Sequence, residues 1–238
     1  MGVPALTAGG KVGVHNLRAT ALCIGGAHGL NVEDARLIAH GHLDGGGNGG
    51  STQLEAVDLD LPSGTKWASA NLGANSPEEY GDYFAWGETV ARADAGDWGL
   101  YKYYDESSNT VTKYNTTDQI YVLKPEDDAA SANLGDGWRM PTKAEMEELL
   151  NSCTCAKTSN YQGSGVNGLL FTAQNGQTLF IPASGNIWDQ LYNPTTEVCF
   201  WCADKPTTGS ANAYALDYIS SLIDKDTGFS RLAHHAGQ

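Results

Sequence analysis

The stretch AVDLDLPSGTKWASANLGANSPEEYGDYFAWGE, which spans residues 56–88, decides the fold of this chain. It has no long helical period, and the turn formers P-S-G and N-S-P separate short pieces that are rich in apolar and aromatic residues. Tyr83, Phe84 and Trp86 close the stretch within four positions. The pattern predicts short strands joined by long loops, with one strand over Thr65–Ala70, and it carries no catalytic signature.

A second stretch, DGWRMPTKAEMEELL over residues 136–150, changes from extended chain to helix. Pro141 restricts the residue before it to an extended conformation. Thr142 is a good N-cap, and Glu145 three residues later completes a capping box. Apolar residues follow at a spacing that buries one face, so the sequence predicts a helix over 142–150.

Strand signals dominate the rest of the chain. Leu169–Ala173 and Gln177–Ile181 flank a Q-N-G turn, which predicts a hairpin, and Pro182 should end its second strand. Three further strands are predicted in the tail, over Val198–Ala203, Ala213–Ile219 and Gly228–Leu232. We therefore expect an α+β fold of small twisted antiparallel sheets with one or two helices and long loops.

Composition and charge exclude some classes of partner. The 238 residues include 28 acidic and 14 basic side chains, a net charge of −14. A polyanion needs a basic patch on its partner, so we expect no nucleic-acid ligand and no binding to an anionic membrane surface. No apolar run is long enough to span a bilayer, so we expect no direct membrane insertion, and the opening residues MGVP do not begin a signal peptide.

The five cysteines allow two interpretations. Cys153 and Cys155 are spaced C-x-C, Cys199 and Cys202 are spaced C-x-x-C, and Cys23 stands alone. Zinc frameworks combine two tight pairs in a helix or knuckle context, which this pattern lacks. The alternative is small buried side chains, with or without one disulfide, and we therefore expect no metal and no cofactor.

Two other metal interpretations also have simpler alternatives. The acids of PEDDAA, residues 125–130, suggest calcium, but they lack the alternating spacing of an EF-hand loop. Acids after a proline suit the first turn of a helix, which is the interpretation we favour. His40 and His42 could chelate a metal, whereas two histidines that alternate along a strand are more often solvated.

A Gly-rich run, GGGNGGST over residues 45–52, predicts a domain boundary. The residues before it are poor in aromatics, and GLNVEDARLIAHG over 29–41 is similar to a single leucine-rich-repeat turn. We expect an N-terminal appendage with its linker over residues 1–50 and one ligand-binding domain over residues 51–238.

Four motifs in order carry a resemblance to a known family. AVDLDLPSGTKWASANLG, SPEEYGDYFAWGE, LKPEDDAA and GDGWRMPTKAEMEELL, with ANAYALDY spaced after FWCA, resemble the FISUMP family of bacterial paralogous domains. The resemblance covers the chain from Leu54 to its end. That family is similar to the formylglycine-generating enzymes and to the variable proteins of diversity-generating retroelements, so the resemblance implies a C-type-lectin-like fold.

The resemblance also implies a function, which is non-catalytic display of ligand contacts on a stable scaffold. It places such a protein at a cell surface, outside the cell or on a phage particle. The family repeats Tyr and Asn through its tail, whereas this tail has Ile219, Leu222 and His234 among them. Targeted diversification of asparagine codons would produce such scattered substitutions. We expect the partner to be a protein or glycan ligand at a surface.

The predicted binding face is the tail, residues 186–238, because it mixes aromatic side chains with adaptable polar ones. The candidate ligand-binding residues are Asn186, Trp188, Asp189, Tyr192, Trp201, Asp204, Asn212, Tyr214, Asp217, Tyr218, Asp224 and Asp226. The aromatic members would be anchors and the polar members would set specificity. For Trp201 and Tyr214 core packing is the stronger interpretation, because aromatics at alternate strand positions are usually buried.

Two other functions stay open. One is an enzyme related to formylglycine generation, with Cys199 and Cys202 as a reactive pair, although no base or metal set stands near them in the sequence. The other is a metal-independent lectin that holds sugars by stacking on Trp or Tyr. The core that supports any of these functions is predicted to contain Trp67, Phe84, Trp86, Trp138, Met146, Leu149, Phe171 and Phe180.

Overall fold

Short strands and connecting loops make up the first part of the folded region. The computed structural model describes residues 54–91, 98–135, 137–187, 190–209, 211–219, 222–224, 228–230 and 235–236, and all of them belong to one unit over residues 51–238. The predicted appendage over 1–50, with its linker and histidines, lies outside the described residues. The first strands are β1 (Ala56–Val57), β2 (Trp67–Ala68), β3 (Tyr83–Phe84), β4 (Tyr104–Asp105) and β5 (Thr110–Val111).

Four of these strands form two small antiparallel pairs. β1 pairs with β2, and β4 pairs with β5. Single 3₁₀ turns lie at Trp98–Leu100 and at Tyr161–Gly163. The predicted strand over Thr65–Ala70 is therefore shorter than expected, because only Trp67 and Ala68 find a partner in β1.

Two short helices follow, and both begin at the signals seen in the sequence. A 3₁₀ turn at Pro125–Asp127 leads into α1 (Ala129–Leu134), whose N-cap Asp128 accepts a hydrogen bond from the Ser131 amide. The helix-start interpretation of the acidic run is thus confirmed. α2 (Lys143–Ser152) begins at the predicted capping box, in which Thr142 and Glu145 satisfy each other's backbone amides.

The predicted hairpin is part of a three-stranded antiparallel sheet. Its strands are β6 (Thr154–Thr158), β7 (Gly168–Thr172) and β8 (Thr178–Pro182), in the order β6-β7-β8. The Q-N-G turn joins β7 to β8, and β8 ends at Pro182 as predicted. Local turn chemistry was therefore enough to predict the β7–β8 hairpin, whereas β6 was not predicted.

The tail forms a small hairpin and the largest sheet. The hairpin strands are β9 (Asn186–Ile187) and β10 (Leu191–Tyr192). The central sheet contains β11 (Glu197–Trp201), β12 (Asn212–Ile219), β13 (Leu222–Asp224), β14 (Gly228–Ser230) and β15 (His235–Ala236). Its order is β13-β12-β11-β15-β3, with β14 also paired to β12.

The central sheet differs from the prediction in one pairing. β11 and β15 run parallel where Phe200 meets Ala236, while the other pairs are antiparallel. β15 enters between β11 and β3, so that His235 pairs with Phe84. This insertion joins the end of the chain to the stretch that opens the domain, and it depends on a contact between residues far apart in sequence.

The central sheet separates two hydrophobic clusters, since alternate residues of β11 point to opposite sides. Cys199 and Trp201 belong to the Trp86 cluster, which also includes Phe84, Trp86, Tyr101, Tyr103, Tyr114 and Ala215. Val198 and Phe200 belong to the Phe171 cluster, which also includes Trp67, Met146, Leu149, Leu169, Phe171, Leu179, Ile181 and Leu216. Both faces of the sheet are therefore covered.

The predicted core residues are buried with one exception. Seven of them are at most 4% exposed: Trp67, Phe84, Trp86, Met146, Leu149, Phe171 and Phe180. Trp138 is only half-buried, and it packs on a small cluster that includes Leu54, Ala68 and Ala70. The prediction for Trp138 was wrong because its side chain borders an open pocket, which Trp67 also lines. The described part of the chain is an α+β structure of small, mostly antiparallel sheets with few helices.

Candidate ligand-binding site

Residues 185–187 and 190–197 carry an exposed aromatic side chain on a backbone that is hydrogen-bonded to its neighbours. Its base is Glu197, the first residue of β11, which is only 2% exposed. One carboxylate oxygen of Glu197 accepts a hydrogen bond from Asn186 Nδ2 at 3.0 Å, and the other accepts one from Asn193 Nδ2 at 2.7 Å. A buried carboxylate held by two amide groups ties both ends of the β9–β10 hairpin to the central sheet.

Backbone bonds hold the same segment to its neighbours. The Gly185 amide donates to the Glu197 carbonyl at 2.8 Å, and the Thr195 amide donates to the Ala183 carbonyl at 2.8 Å. Gly185 has a φ of +69°, and a Cβ there would lie 2.1 Å from the Tyr192 carbonyl oxygen. The close approach therefore requires glycine, and it sets the path of the chain beneath Tyr192.

Tyr192 is the exposed aromatic of this segment. Its side chain is 36% exposed, and Asn193, Pro194, Thr195 and Thr196 beside it are exposed as well. Of the predicted binding residues, the structure brings Asn186 and Tyr192 together directly, because they pair across the hairpin. We call the described residues 185–187 and 190–197 the Tyr192 segment.

The candidates on β11 and β12 are distributed over both faces of the central sheet. Trp201 is 1% exposed and donates from Nε1 to the Phe84 carbonyl at 3.0 Å, and Asp217, opposite Cys199, is 9% exposed. Tyr214 and Tyr218 are half-buried and pack against the Phe171 cluster. Trp201 therefore belongs to the core, as the stronger interpretation held, and these four side chains do not share one face.

The two ends of β12 are also far apart. Ile219 pairs with Glu197 and with Leu222, which places the β12–β13 end of the sheet beside the Tyr192 segment. Asn212, at the start of β12, is exposed at the other end, roughly 20 Å away for an extended strand of this length. The candidates thus divide between two ends of one sheet.

Asp204 has a structural contact at the start of α2. Its carboxylate accepts a hydrogen bond from the Lys143 amide at 2.7 Å, where a helix has free amides and favours negative charge. Burial raises the pKa of Asp204, and the bond from Lys143 opposes that rise. Four candidates have no described side chain: Trp188, Asp189 and Asp226 lie outside the described residues, and Asp224 is placed by its backbone in β13.

One grouping of metal-ligand side chains was missed in the sequence. Glu197, Cys199 and Asp217 are buried, and one potential ligand atom from each lies within 4.8 Å of the others. The sequence suggested pairing Cys199 with Cys202, but strand pairing brings Asp217 opposite Cys199 instead. The period of two along β11 places Glu197 and Cys199 on the same face, and knowing the register of β12 would have revealed the grouping.

The four described cysteines form no disulfide, and Cys153 belongs to the Phe171 cluster with Cys155 packed against it. Cys199 lies in the Trp86 cluster and Cys202 in the Phe171 cluster, so the C-x-x-C pair is split across the sheet. Burial raises the pKa of both thiols, and for Cys199 the neighbouring carboxylate of Asp217 raises it further. Burial also raises the pKa of Cys153 and Cys155. A thiol with a raised pKa is a poor nucleophile at neutral pH.

Comparison of the chain with protein-family models, with curated proteins and with solved structures finds no match. The resemblance noted in the sequence therefore stays a prediction. Within the described ranges, no helix is both long enough and apolar enough to cross a membrane.

Proposed function

We propose that this chain is a non-catalytic ligand-binding and display protein with a C-type-lectin-like fold. In this proposal the region over residues 186–238 is a diversified binding face, as in the variable proteins of diversity-generating retroelements. The ligand is a protein or glycan at a surface, and the protein acts at a cell surface, outside the cell or on a phage particle.

The observation that carries the proposal is the construction of the Tyr192 segment. Its backbone is held by the buried Glu197 carboxylate and by bonds to the central sheet, while Tyr192 and the following residues are exposed. A rigid backbone that presents a tyrosine and small polar side chains is typical of binding loops, because such side chains supply contact area at low entropic cost. Within residues 186–238, the proposed binding face is therefore limited to the Tyr192 segment and the adjoining end of the central sheet, where β12 meets β13.

The related-enzyme alternative has less support. It relied on Cys199 and Cys202 as a reactive pair, and these thiols lie on opposite sides of the sheet with raised pKa values. A shared fold would not carry an activity without a site to perform it.

Sequence variation among natural copies of the gene tests whether residues 186–238 are diversified. We expect many copies of the gene, sequenced from one population, to differ mainly in the codons for residues 186–238. Within that region the changes should fall on exposed positions such as Tyr192 and Thr196 and should spare Glu197 and Trp201, because those two side chains are buried. Variation spread evenly from residue 54 onward would contradict the proposal.

A display library tests the binding capacity directly. One yeast-displayed library is randomised at the exposed Tyr192, Pro194 and Thr196, and a control library is randomised at Glu106, Thr116 and Thr117, which are exposed elsewhere. Both are selected against the same purified protein target. We expect specific binders from the first library. Equal numbers of binders from both libraries would show that the Tyr192 segment is no better suited to binding than another exposed surface.

A further inference from the structure

Three buried side chains that can bind a metal ion meet where β11 pairs with β12. They are Glu197 and Cys199 on β11 and Asp217 on β12, which are 2%, 0% and 9% exposed. One ligand atom from each lies within 4.8 Å of the other two. The group lies at the base of the Tyr192 segment, because Glu197 accepts the hydrogen bonds from Asn186 and Asn193.

The pairing of the two strands holds these side chains together. Residues i and i+2 of a strand project to the same face, so Glu197 and Cys199 point the same way. Cys199 pairs directly with Asp217, and residues that oppose each other in antiparallel strands share a face. Both strands lie inside the central sheet, β11 between β12 and β15, and β12 between β11 and β13. Moving the three side chains apart would therefore require the sheet to break.

The charge of this group is unusual for a protein interior. Buried carboxylates are normally paired with a cation or bound to a metal, because removing a charge from water costs free energy. The described donors to Glu197 are neutral, namely two asparagine amides and the Cys199 thiol. Burial, and then the carboxylates of Asp217 and Glu197, raise the pKa of the Cys199 thiol. A divalent cation among the three side chains would offset this concentration of negative charge.

The types of ligand atom favour zinc over other metals. Thiolate is a soft ligand and carboxylate a hard one, and zinc binds both, with bonds of about 2.3 Å to sulfur and about 2.0–2.2 Å to oxygen. Calcium and magnesium prefer oxygen ligands alone, whereas copper(I) prefers sulfur. Ligands of one zinc ion stand roughly 3–4 Å apart at these bond lengths, so the observed separations require only small side-chain rotations.

We propose that Glu197, Cys199 and Asp217 form a zinc site. On binding, the thiol proton of Cys199 leaves to water and the sulfur donates an electron pair to the ion, with no change of oxidation state. Asn186 and Asn193 are positioning residues, because hydrogen bonds to a ligating carboxylate fix its orientation. We expected no metal from the cysteine spacing, which does not show that Asp217 lies opposite Cys199. The metal itself is measured, so the proposal does not depend on the function proposed above.

Cobalt substitution tests the site in the full chain. The protein is unfolded in denaturant with a chelator and refolded with an equimolar amount of Co²⁺, because the ligands are buried and the ion must enter before the sheet closes. A cobalt–thiolate bond gives a charge-transfer band in the near ultraviolet, which sites made of histidines or carboxylates lack. We expect this band in the wild type, and an excess of Zn²⁺ should remove it.

Cys199→Ser removes the thiol ligand, and Cys202→Ser is its matched control. Cys202 is 2% exposed and belongs to the Phe171 cluster on the other face of the sheet. The band should disappear in Cys199→Ser and remain in Cys202→Ser, with the fold of each variant checked by circular dichroism.

Asp217→Asn provides a second variant if Cys199→Ser fails to fold, because it keeps the shape of the side chain and removes its charge. It should weaken cobalt binding by about 100-fold or more, since even the loss of a hydrogen bond to a metal ligand costs roughly 10–100-fold in affinity.

X-ray absorption at the zinc edge needs no variant. In the wild type refolded with zinc and then desalted, we expect one sulfur atom bound to each zinc ion, together with lighter oxygen or nitrogen atoms. Two sulfur atoms would assign the metal to a cysteine pair such as Cys153 and Cys155, and none would assign it to histidines or carboxylates alone.

Three results would overturn the inference. The first is a refolded wild type that retains no zinc, or that retains calcium and shows no cobalt–thiolate band. The second is a sulfur count other than one. The third is a band that survives in Cys199→Ser, that a folded Cys202→Ser loses as well, or whose cobalt affinity is unchanged in Asp217→Asn.

Discussion

Asp127 is a buried carboxylate whose environment explains why its sequence pattern resembled a calcium site. It accepts hydrogen bonds from Lys102 Nζ at 2.8 Å, from Tyr114 Oη at 2.7 Å and from Lys113 Nζ. Burial alone raises the pKa of Asp127, but the bonds from the two lysines and the tyrosines outweigh it and hold the pKa well below its usual range. The acid therefore already has two cationic partners within the protein.

Glu145 gives the residue-scale prediction. Arg139 and Thr142 hold its carboxylate and lower the pKa of Glu145 from 4.5 to about 2. Because the folded value is the lower one, this stabilisation is complete above pH 4.5 and is lost as the pH falls through about 2. Glu145→Gln should lower the free energy of unfolding by roughly 1–2 kcal/mol at neutral pH, since it weakens a capping box and an ion pair.

Urea unfolding at several pH values checks this prediction, with Glu147→Gln as the matched control. Glu147 lies on the same helix, its side chain is 37% exposed and it faces Lys143 at 3.9 Å, so its loss should change stability by less than about 0.5 kcal/mol. The difference between wild type and Glu145→Gln should shrink as the pH is lowered below 4.5. A difference that stays constant down to pH 2 would show that the charge of Glu145 is not what stabilises the helix start.

At the scale of elements, the β9–β10 hairpin depends on a close backbone approach as well as on its own strands. Gly185 and Gly176 both have positive φ values, +69° and +85°. A Cβ at Gly185 would lie 2.1 Å from the Tyr192 carbonyl oxygen, whereas one at Gly176 meets no described atom within 4 Å. A substitution at either position thus has the conformational cost of a left-handed backbone, but only a Cβ at Gly185 would collide with another atom.

We therefore predict that Gly185→Ala destabilises the domain much more than Gly176→Ala does. The Gly176 variant should cost roughly 1–2 kcal/mol for the left-handed backbone, and the Gly185 variant should cost about 3 kcal/mol or more because the hairpin must also move. Thermal unfolding of both variants measures the difference. Equal costs would mean that the hairpin is free to shift, and the rigid-backbone argument for the Tyr192 segment would fail.

At the scale of the whole molecule, the sequence was sufficient wherever a signal is local. The capping box at Thr142, the Q-N-G hairpin and the start of α1 after Pro125 were predicted because a few neighbouring residues determine them. Three strands of the tail were also placed correctly within a few residues, through their alternating patterns.

What could not be predicted depends on pairing between distant segments. The burial of Asp217 and its meeting with Cys199 follow from the register of β11 with β12, and the parallel contact of β15 follows from its insertion beside β3. The pocket at Trp67 and Trp138 likewise forms between segments about 70 residues apart. A single sequence contains no signal for such registers, so the candidate residues could be chosen by type but not grouped by position.

The last prediction separates displayed residues from structural ones among the candidates. Tyr192 and Asn212 are exposed at opposite ends of the central sheet, whereas Trp201 is 1% exposed and bonded to Phe84. The double change Tyr192→Ser with Asn212→Ser should lower the free energy of unfolding by no more than about 1 kcal/mol, because exposed substitutions have small effects. Trp201→Ala should cost roughly 3–5 kcal/mol, since it leaves a cavity in the Trp86 cluster and an unmatched carbonyl. Chemical unfolding monitored by circular dichroism compares the three proteins. If the double variant is destabilised as much as Trp201→Ala, the exposed side chains of the tail hold the fold together, and a face whose residues can be exchanged freely is ruled out.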